Sequence, residues 1–288
     1  MEIPRIQWYP GHIAKAEKKL SEIINRVDLI IEVRDARIPL STGHPHLNKW
    51  LENKKHILVI NKADMISKST LKAWDHWFTS ADSQVLWCNA KEGSGIKEIC
   101  QSAKIARASI DERRISRGMK PRAIRALTLG FPNVGKSALI NRIANKKVVE
   151  SARKAGVTRS LRWIRLENGI DLLDAPGVIP PNLKDQKSAL NLAICDDIGE
   201  AGYDVESVAI AFLKIIFSLY ENKNANISIK KFTDRYGINL MDAIGSPEQW
   251  ILDTAEKHTS GDSRRMAHKL LEDFRNQMLG KISLEVPE

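Results

Sequence analysis

Residues 130–137 have the sequence G-F-P-N-V-G-K-S, and this segment constrains the fold more than any other part of the chain. It follows an aliphatic run at residues 124–129, which predicts a strand, and precedes a helical stretch that begins near Lys136. A phosphate-binding loop requires this order of strand, loop and helix. Gly130 and Gly135 let consecutive N–H groups converge on phosphate oxygens, and the helix directs its partial positive end at them. The segment therefore predicts a phosphate-binding loop within an α/β domain.

Two side chains of this loop have distinct predicted tasks. Lys136 can bridge the β- and γ-phosphates, and we count it among the catalytic residues. The hydroxyl of Ser137 can complete the coordination shell of a Mg²⁺ ion. The predicted nucleotide contacts of the loop and the first helical turn are Asn133, Val134, Gly135, Lys136, Ser137 and Ala138.

Hydrophobic periodicity predicts the arrangement of the rest of the chain. Short β-branched and aliphatic runs predict strands at residues 27–33, 57–60, 85–87, 124–129, 161–166 and 170–173. Helical spacing at residues 13–24 and 71–78 lies between some of them, which favours a sheet with helices on both faces. From about Lys184 the pattern is helical, and it ends in an apolar stripe of Met266, Leu270, Phe274 and Met278. We predict a first domain at residues 1–190 and a smaller all-α domain at residues 191–288.

Two segments after the loop have the residues needed to sense a γ-phosphate. Residues 174–177 have the sequence D-A-P-G at the end of a predicted strand. Asp174 can hold Mg²⁺ through water, and the N–H of Gly177 can reach the γ-phosphate. Thr158, within G-V-T-R at residues 156–159, is a candidate second hydroxyl ligand and a candidate catalytic residue. The predicted Mg²⁺ ligands are therefore Ser137, Thr158 and Asp174.

The base-reading element lies upstream of the phosphate loop. Residues 61–64 have the sequence N-K-A-D after a predicted strand. The Asp64 carboxylate can accept two hydrogen bonds from the N1–H and N2 amino group of guanine, which adenine cannot donate, and the Lys62 stem can cover the ring. Residues 89–91, N-A-K, occupy the place where a backbone N–H meets the guanine oxygen. The pattern predicts GTP and GDP as ligands, contacted by Asn61, Lys62, Asp64, Asn89, Ala90 and Lys91.

The order N-K-A-D, N-A-K, G-F-P-N-V-G-K-S, G-V-T-R, D-A-P-G is circularly permuted. It resembles the circularly permuted GTPases, and among them the ribosome biogenesis GTPase A family. Residues 8–16, W-Y-P-G-H-I-A-K-A, and 35–39, D-A-R-I-P, are similar to further signatures of that family. The resemblance implies a P-loop GTPase domain with permuted motif order followed by an all-α domain. It also implies assembly of the large ribosomal subunit or its precursor, with contacts to ribosomal RNA.

One catalytic group is missing from the motifs themselves. Many GTPases place a water-orienting glutamine directly after D-x-x-G, but this chain has Val178 there. We therefore expect slow intrinsic hydrolysis and stimulation by a partner. His12 is a candidate for orienting water, with a packing role as the alternative. Asn133 is a candidate ligand for a K⁺ ion beside the phosphates, with stabilisation of the loop backbone as its alternative.

Positive charge is concentrated in the first two thirds of the chain. Residues 1–194 contain 34 basic and 19 acidic side chains, whereas residues 195–288 contain 11 and 16. Residues 104–125 and 142–165 each contain eight basic side chains. Each block alone is typical of a solvated surface, but two of them favour a polyanionic partner, which agrees with RNA.

Composition and motifs also bear on the cellular compartment of the protein and on the alternative functions that stay open. Cys88, Cys100 and Cys195 are odd in number and widely spaced, which predicts a reducing compartment: a bacterial-type cytoplasm, with an organelle stroma or matrix as a second option. The longest apolar stretch, residues 208–220, is shorter than the roughly 20 residues of a membrane span, so we expect no membrane partner. We also expect the protein to be a monomer away from the ribosome. An ATPase or metabolic kinase is disfavoured by Asp64. An RNA-binding scaffold that uses GTP as a structural switch, with little hydrolysis, stays open because of Val178.

Overall fold

A computed structural model describes residue 6 and residues 22–51, 54–81, 83–149, 162–166, 169–175, 185–221 and 227–287 of the chain. The described part contains a six-stranded sheet with the strand order β3-β2-β1-β4-β6-β5. The strands are β1 Leu29–Asp35, β2 Lys55–Asn61, β3 Val85–Trp87, β4 Ile124–Leu129, β5 Arg162–Leu166 and β6 Ile170–Asp174. All six predicted strands are confirmed.

Five strands of the sheet are parallel, and only the edge strand β5 is antiparallel to its neighbour β6. Central β1 pairs with β2 up to Asp35 and Asn61, and with β4 up to Glu32 and Leu129. The carboxyl ends of parallel strands meet at one edge of a sheet, and ligands of open α/β sheets bind there. The predicted motifs that follow β2, β3 and β4 therefore share that edge with Asp174, the last residue of β6.

Helices flank the sheet and continue beyond it. Ser67 caps the helix Lys68–Ser80 by accepting a hydrogen bond from the N–H of Thr70, 3.1 Å away. The helices of the described residues are α1 Leu47–Leu51, α2 Lys68–Ser80, α3 Ile96–Ile115, α4 Lys136–Ile143, α5 Gln186–Ile194, α6 Val205–Glu221, α7 Ile229–Tyr236, α8 Pro247–His258 and α9 Ser263–Arg275. The helices expected at residues 71–78 and from Lys136 are confirmed, whereas most of the one expected at residues 13–24 lies outside the described residues.

The last third of the chain is helical in its described residues, as predicted. Helix α6 is largely apolar and packs against α9, with the rings of Phe212 and Phe274 5.0 Å apart. Met266, Leu270 and Phe274 are buried, so this part of the predicted stripe is confirmed. Met278 is 55% exposed, and its inclusion was wrong. The helix ends at Arg275 and Gln277 adopts a left-handed φ of 62°, so the helical spacing does not continue to Met278.

The C-terminal segment returns to the loop that follows β1. The Glu285 carboxylate accepts hydrogen bonds from the N–H groups of Leu40, 2.7 Å away, and Ser41, 3.0 Å away. The N–H of Leu284 donates to the carbonyl oxygen of Arg37 over 2.9 Å. The predicted boundary between residues 190 and 191 falls inside helix α5, and the division into two domains stays a prediction.

The structure also describes the three cysteines and the hydropathy of the helices. Cys88, Cys100 and Cys195 are free thiols. Over the part of the chain that the structure describes, no helix combines the length and hydropathy needed to cross a membrane.

Candidate nucleotide-binding site

The phosphate loop connects β4 to helix α4 at the carboxyl edge of the sheet. Gly135, directly before α4, has a φ of 101°, a conformation that side-chain-bearing residues rarely adopt. A Cβ atom added there would lie 2.1 Å from Nδ2 of Asn61. Gly135 is therefore required by its backbone conformation and by the close approach of the N-K-A-D segment.

Asn61 connects the three predicted nucleotide segments. Its Nδ2 donates to the carbonyl oxygen of Val134 in the phosphate loop over 2.8 Å. Its Oδ1 accepts from the N–H of Ala90 in the N-A-K segment over 2.9 Å and from Sγ of Cys88 over 3.3 Å. Asn61 is buried, so these bonds are shielded from water. Segments that are far apart in the permuted sequence thus meet through one amide.

The N-A-K segment forms a compact turn against helix α4. Oδ1 of Asn89 accepts hydrogen bonds from the N–H groups of Lys91, 3.0 Å away, and Glu92, 3.1 Å away. Arg142 of α4 donates from Nε to the carbonyl oxygen of Ala90 over 3.1 Å, and its Nη2 bonds the carbonyl oxygen of Lys91. Arg142 was not among the predicted site residues. Its helical position within a basic block resembles that of any surface arginine.

A cavity of about 410 Å³ opens between this segment and helix α4. Its volume lies in the range typical of small-molecule sites. Three predicted nucleotide contacts, Ala90, Lys91 and Ala138, line this cavity. The lining residues are Ala90, Lys91, Ala138, Asn141, Arg142, Asn145, Lys146 and Lys147.

Lys136 lies buried inside the phosphate loop. Its Nζ donates to the carbonyl oxygens of Gly130, 3.1 Å away, and Phe131, 2.7 Å away. Burial lowers the pKa of Lys136 to about 8, and the charges of Asp174 and Asp197 oppose this change. The ammonium group is therefore poorly solvated, which strengthens its attraction to any phosphate that enters the loop.

Asp174 ends β6 beside this loop, and its Cα is in register with that of Thr128. Its Oδ1 is buried and has no hydrogen-bond partner among the described residues. Burial raises the pKa of Asp174, and the Lys136 charge opposes this rise. An unpaired buried carboxylate oxygen suits a hydrated cation. Ser137 follows Lys136 in the first turn of α4, whereas Thr158, Gly177 and His12 lie outside the described residues.

The predicted base-reading side chains, Lys62 and Asp64, contact other parts of the protein. Nζ of Lys62 lies 2.6 Å from Oδ2 of Asp35 and 3.7 Å from Oδ1 of Asp197. Oδ2 of Asp64 accepts from Nε2 of Gln277 over 3.4 Å. Asp197 and Gln277 belong to the helical part of the chain and were not predicted, because sequence distance conceals these contacts.

Asn133 also contacts the helical part. It has a left-handed φ of 55°, and its Nδ2 donates to the carbonyl oxygen of Asp196 over 2.5 Å. Asparagine tolerates this conformation better than most residues do. The contact joins the phosphate loop to the turn that follows helix α5, and a role for Asn133 in K⁺ binding stays a prediction.

Comparisons with known proteins identify relatives of this chain. The family model described as "50S ribosome-binding GTPase" matches residues 125–202. "Ribosome biogenesis GTPase A" of Bacillus cereus is 33% identical over 98% of this chain and 94% of its own length. The protein of the same name from Bacillus pumilus is also 33% identical, over 98% and 99%.

A solved structure described as GDP-bound TM YlqF has a TM-score of 0.64, with 22% identity over 93% of this chain and 99% of that one. This likeness supports the fold, including a domain of the permuted type. The identity and coverage of the Bacillus relatives establish the family. The chain is a GTPase and belongs to the ribosome biogenesis GTPase A family.

Proposed function

We propose that this GTPase acts in assembly of the large ribosomal subunit and binds ribosomal RNA in a nucleotide-dependent way. The observation that carries the proposal is the bridge made by Asn61 between the phosphate loop and the N-A-K segment. The bridge supports a guanine-nucleotide site built from permuted motifs, and the names of the relatives supply the ribosomal context.

The base is assigned to the N-K-A-D and N-A-K segments. Asp64 accepts hydrogen bonds from guanine, and the stem of Lys62 covers the ring. The N-A-K segment is assigned to the side of the guanine oxygen, although the N–H groups of Ala90 and Lys91 donate within the protein, to Asn61 and Asn89. The phosphates are assigned to the loop, where backbone N–H groups and Lys136 meet them. Lys136 orients the β- and γ-phosphates and balances their charge.

A Mg²⁺ ion is assigned to the hydroxyls of Ser137 and Thr158, with Asp174 acting through water. The unpaired Oδ1 of Asp174 fits this assignment. Among the described residues no group of three or more His, Cys, Asp and Glu side chains could hold a metal by itself. A hydroxyl, water and phosphate shell does not require such a group. When bound, the ion neutralises charge on the β- and γ-phosphates.

Orientation of the attacking water is assigned to His12, because Val178 cannot perform it. The substitution His12→Ala should reduce ribosome-stimulated phosphate release and leave GDP affinity unchanged. Equal stimulated rates in the variant and the parent protein would refute this assignment.

Asn133 is assigned as a ligand for K⁺, which would supply positive charge beside the phosphates. GTP hydrolysis should then be faster in KCl than in NaCl at equal ionic strength. Equal rates in the two salts would exclude the K⁺ assignment.

RNA contacts are assigned to exposed basic side chains on both parts of the chain. In the first part of the chain they lie on α3, in the segment after it and, for Arg125, on β4. In the second part, Arg235 forms an ion pair with Asp273, and Lys214 forms one with Glu248. The exposed basic residues assigned to RNA are Lys104, Arg113, Arg117, Lys120, Arg125, Lys230, Lys231, Arg264 and Arg265.

The decisive experiment is co-sedimentation with purified large subunits and with their precursors, in GDP and in a non-hydrolysable GTP analogue. Binding should be tighter with the analogue and should weaken as salt is raised. Equal binding in both nucleotides would contradict nucleotide dependence. Phosphate release measured with and without particles tests stimulation, and we expect a monomer in their absence and a cytoplasmic location.

A further inference from the structure

The turn after helix α5 carries a buried carboxylate next to the base-reading lysine. Asp197 is 0% exposed, and its Oδ1 lies 3.7 Å from Nζ of Lys62. Neither carboxylate oxygen of Asp197 has a hydrogen-bond partner among the described residues. A buried charge without such partners costs free energy unless a cation is close by. Lys62 is the cation within ion-pair distance of Asp197 in the part of the chain that the structure describes.

A second carboxylate near Lys62 is already balanced by another residue. Asp35 forms a bidentate pair with Arg37, with Nε–Oδ1 at 3.0 Å and Nη2–Oδ2 at 2.7 Å. It also accepts from the N–H of Arg37 over 2.9 Å. The charges of Arg37 and then Lys62 outweigh the effect of burial and hold the pKa of Asp35 well below its usual range. Asp35 is therefore ionised, and its charge is matched by Arg37.

The cluster consequently contains two carboxylates and two cations. Arg37 matches the charge of Asp35. Burial raises the pKa of Asp197 to about 7, and the charge of Lys62 opposes this rise, so Asp197 pairs with Lys62 once it is ionised, above about pH 7. Lys62 lies directly after strand β2 and has a left-handed φ of 61°. Its ammonium group is held by Asp35 over 2.6 Å and faces Asp197 on the helical part of the chain.

Two backbone contacts fix the position of Asp197. Nη2 of Arg37 donates to the carbonyl oxygen of Cys195 over 3.1 Å. Nδ2 of Asn133, in the phosphate loop, donates to the carbonyl oxygen of Asp196. The turn is thus attached to the loop after β1 and to the phosphate loop, on either side of the base-reading lysine.

We propose that Asp197 is a positioning residue for Lys62: with Asp35 it anchors the ammonium group, so that the lysine stem is already placed to cover the guanine ring. Through this contact the helical part of the chain contributes to guanine-nucleotide affinity without touching the nucleotide. The inference rests on the proposed role of the N-K-A-D segment in reading the base.

The test is the substitution Asp197→Asn in the full-length protein at about pH 8, where Asp197 is mostly ionised. GDP affinity is measured by fluorescence of a labelled nucleotide. Asparagine has the same shape, and the carboxylate has no hydrogen-bond donors to lose, so the variant should fold. Its affinity should fall about three- to tenfold, the effect of one partly buried ion pair. The matched control is Asp185→Asn at the opposite end of helix α5. Asp185 caps that helix, an asparagine caps equally well, and GDP affinity should not change.

A double-mutant cycle separates positioning from a general structural role. The substitution Lys62→Met should weaken GDP binding by itself, and Asp197→Asn should add nothing in that background. A full additional loss in the double variant would mean that Asp197 acts elsewhere and would overturn the inference. Unchanged or tighter GDP binding by the single Asp197→Asn variant would also overturn it.

The substitution Asp64→Asn distinguishes this failure from failure of the proposed function. It should weaken binding of GDP and strengthen binding of xanthosine diphosphate, whose oxygen replaces the guanine amino group. If Asp64→Asn changes the base preference and Asp197→Asn has no effect, the positioning inference alone is wrong. If Asp64→Asn leaves the preference unchanged, the base-reading assignment is wrong, and the inference that rests on it is wrong as well.

Discussion

Nδ2 of Asn61 donates a 2.8 Å hydrogen bond to the carbonyl oxygen of Val134, which lies 73 residues further along the chain. The same amide accepts from the N–H of Ala90. In a GTPase with permuted motif order, these bonds join the predicted base-reading segments, which come first in the sequence, to the phosphate loop, which comes later. The site therefore depends on a small number of buried contacts whose removal can be tested.

The first prediction concerns this amide. Asn61→Ala leaves a buried N–H and a buried carbonyl oxygen without partners, which costs about 1–3 kcal/mol for each group. GDP affinity should fall by about tenfold or more, as measured by titration calorimetry. Asn61→Asp keeps the acceptor for Ala90 but replaces the donor to Val134 with a buried carboxylate oxygen that faces the carbonyl oxygen, so its loss should be at least as large. Unchanged GDP affinity in both variants would contradict the bridge.

A second prediction concerns Gly135, whose added Cβ would lie 2.1 Å from Nδ2 of Asn61. Gly135→Ala should abolish detectable nucleotide binding, because the strained backbone and the clash both displace the phosphate loop. Gly118→Ala is the matched control, since Gly118 also has a positive φ, 72°, but no atom lies within 4 Å of its added Cβ. The control should lose only about 1 kcal/mol of stability and keep GDP binding. Normal binding by the Gly135 variant would refute the prediction.

Lys136 provides a prediction about pH. Burial lowers its pKa from 10.5 to about 8, so the unfolded chain binds more protons than the folded one between these values. The contribution of Lys136 to the free energy of unfolding should therefore rise as the pH rises through that window.

Phosphate favours the charged lysine, so GDP binding should take up a proton above pH 8 and weaken with rising pH. Calorimetry near about pH 8.5 in buffers of different ionisation enthalpy measures this uptake. Lys136→Arg keeps a permanent charge, and any residual binding by this variant should show no uptake from residue 136. Equal proton uptake in both proteins would assign it to another group.

The fourth prediction concerns the C-terminal segment. Glu285→Ala removes the acceptor for the N–H groups of Leu40 and Ser41 and for Nδ2 of Asn191, 3.2 Å away. The free energy of unfolding should fall by about 2–4 kcal/mol, as measured by urea denaturation. Glu272→Ala, on the exposed face of helix α9, should change it by less than about 0.5 kcal/mol. Equal stability of the two variants would show that the C-terminal segment is not anchored as described.

Much of the fold follows from local patterns. The strands are short β-branched runs next to turns, and the phosphate loop follows from its glycines, lysine and flanking elements, so all six strands and helix α4 could be predicted. The error at Met278 has a local cause as well: a left-handed residue at position 277 ends the spacing, and no helix-breaking residue type marks it.

Residue type alone determined which side chains this protein has for the predicted chemistry: a lysine expected to meet phosphates, an aspartate expected to read guanine, and a valine where many GTPases have glutamine. Only the tertiary structure decided which groups meet. The parallel register brings Asp35 and Asn61 side by side at the sheet edge. Packing of distant segments places Asp197 next to Lys62 and lets Arg142 donate a hydrogen bond to the carbonyl oxygen of Ala90. Such pairs are invisible in the sequence because burial, charge balance and hydrogen bonding depend on distances in space, which separation along the chain does not specify.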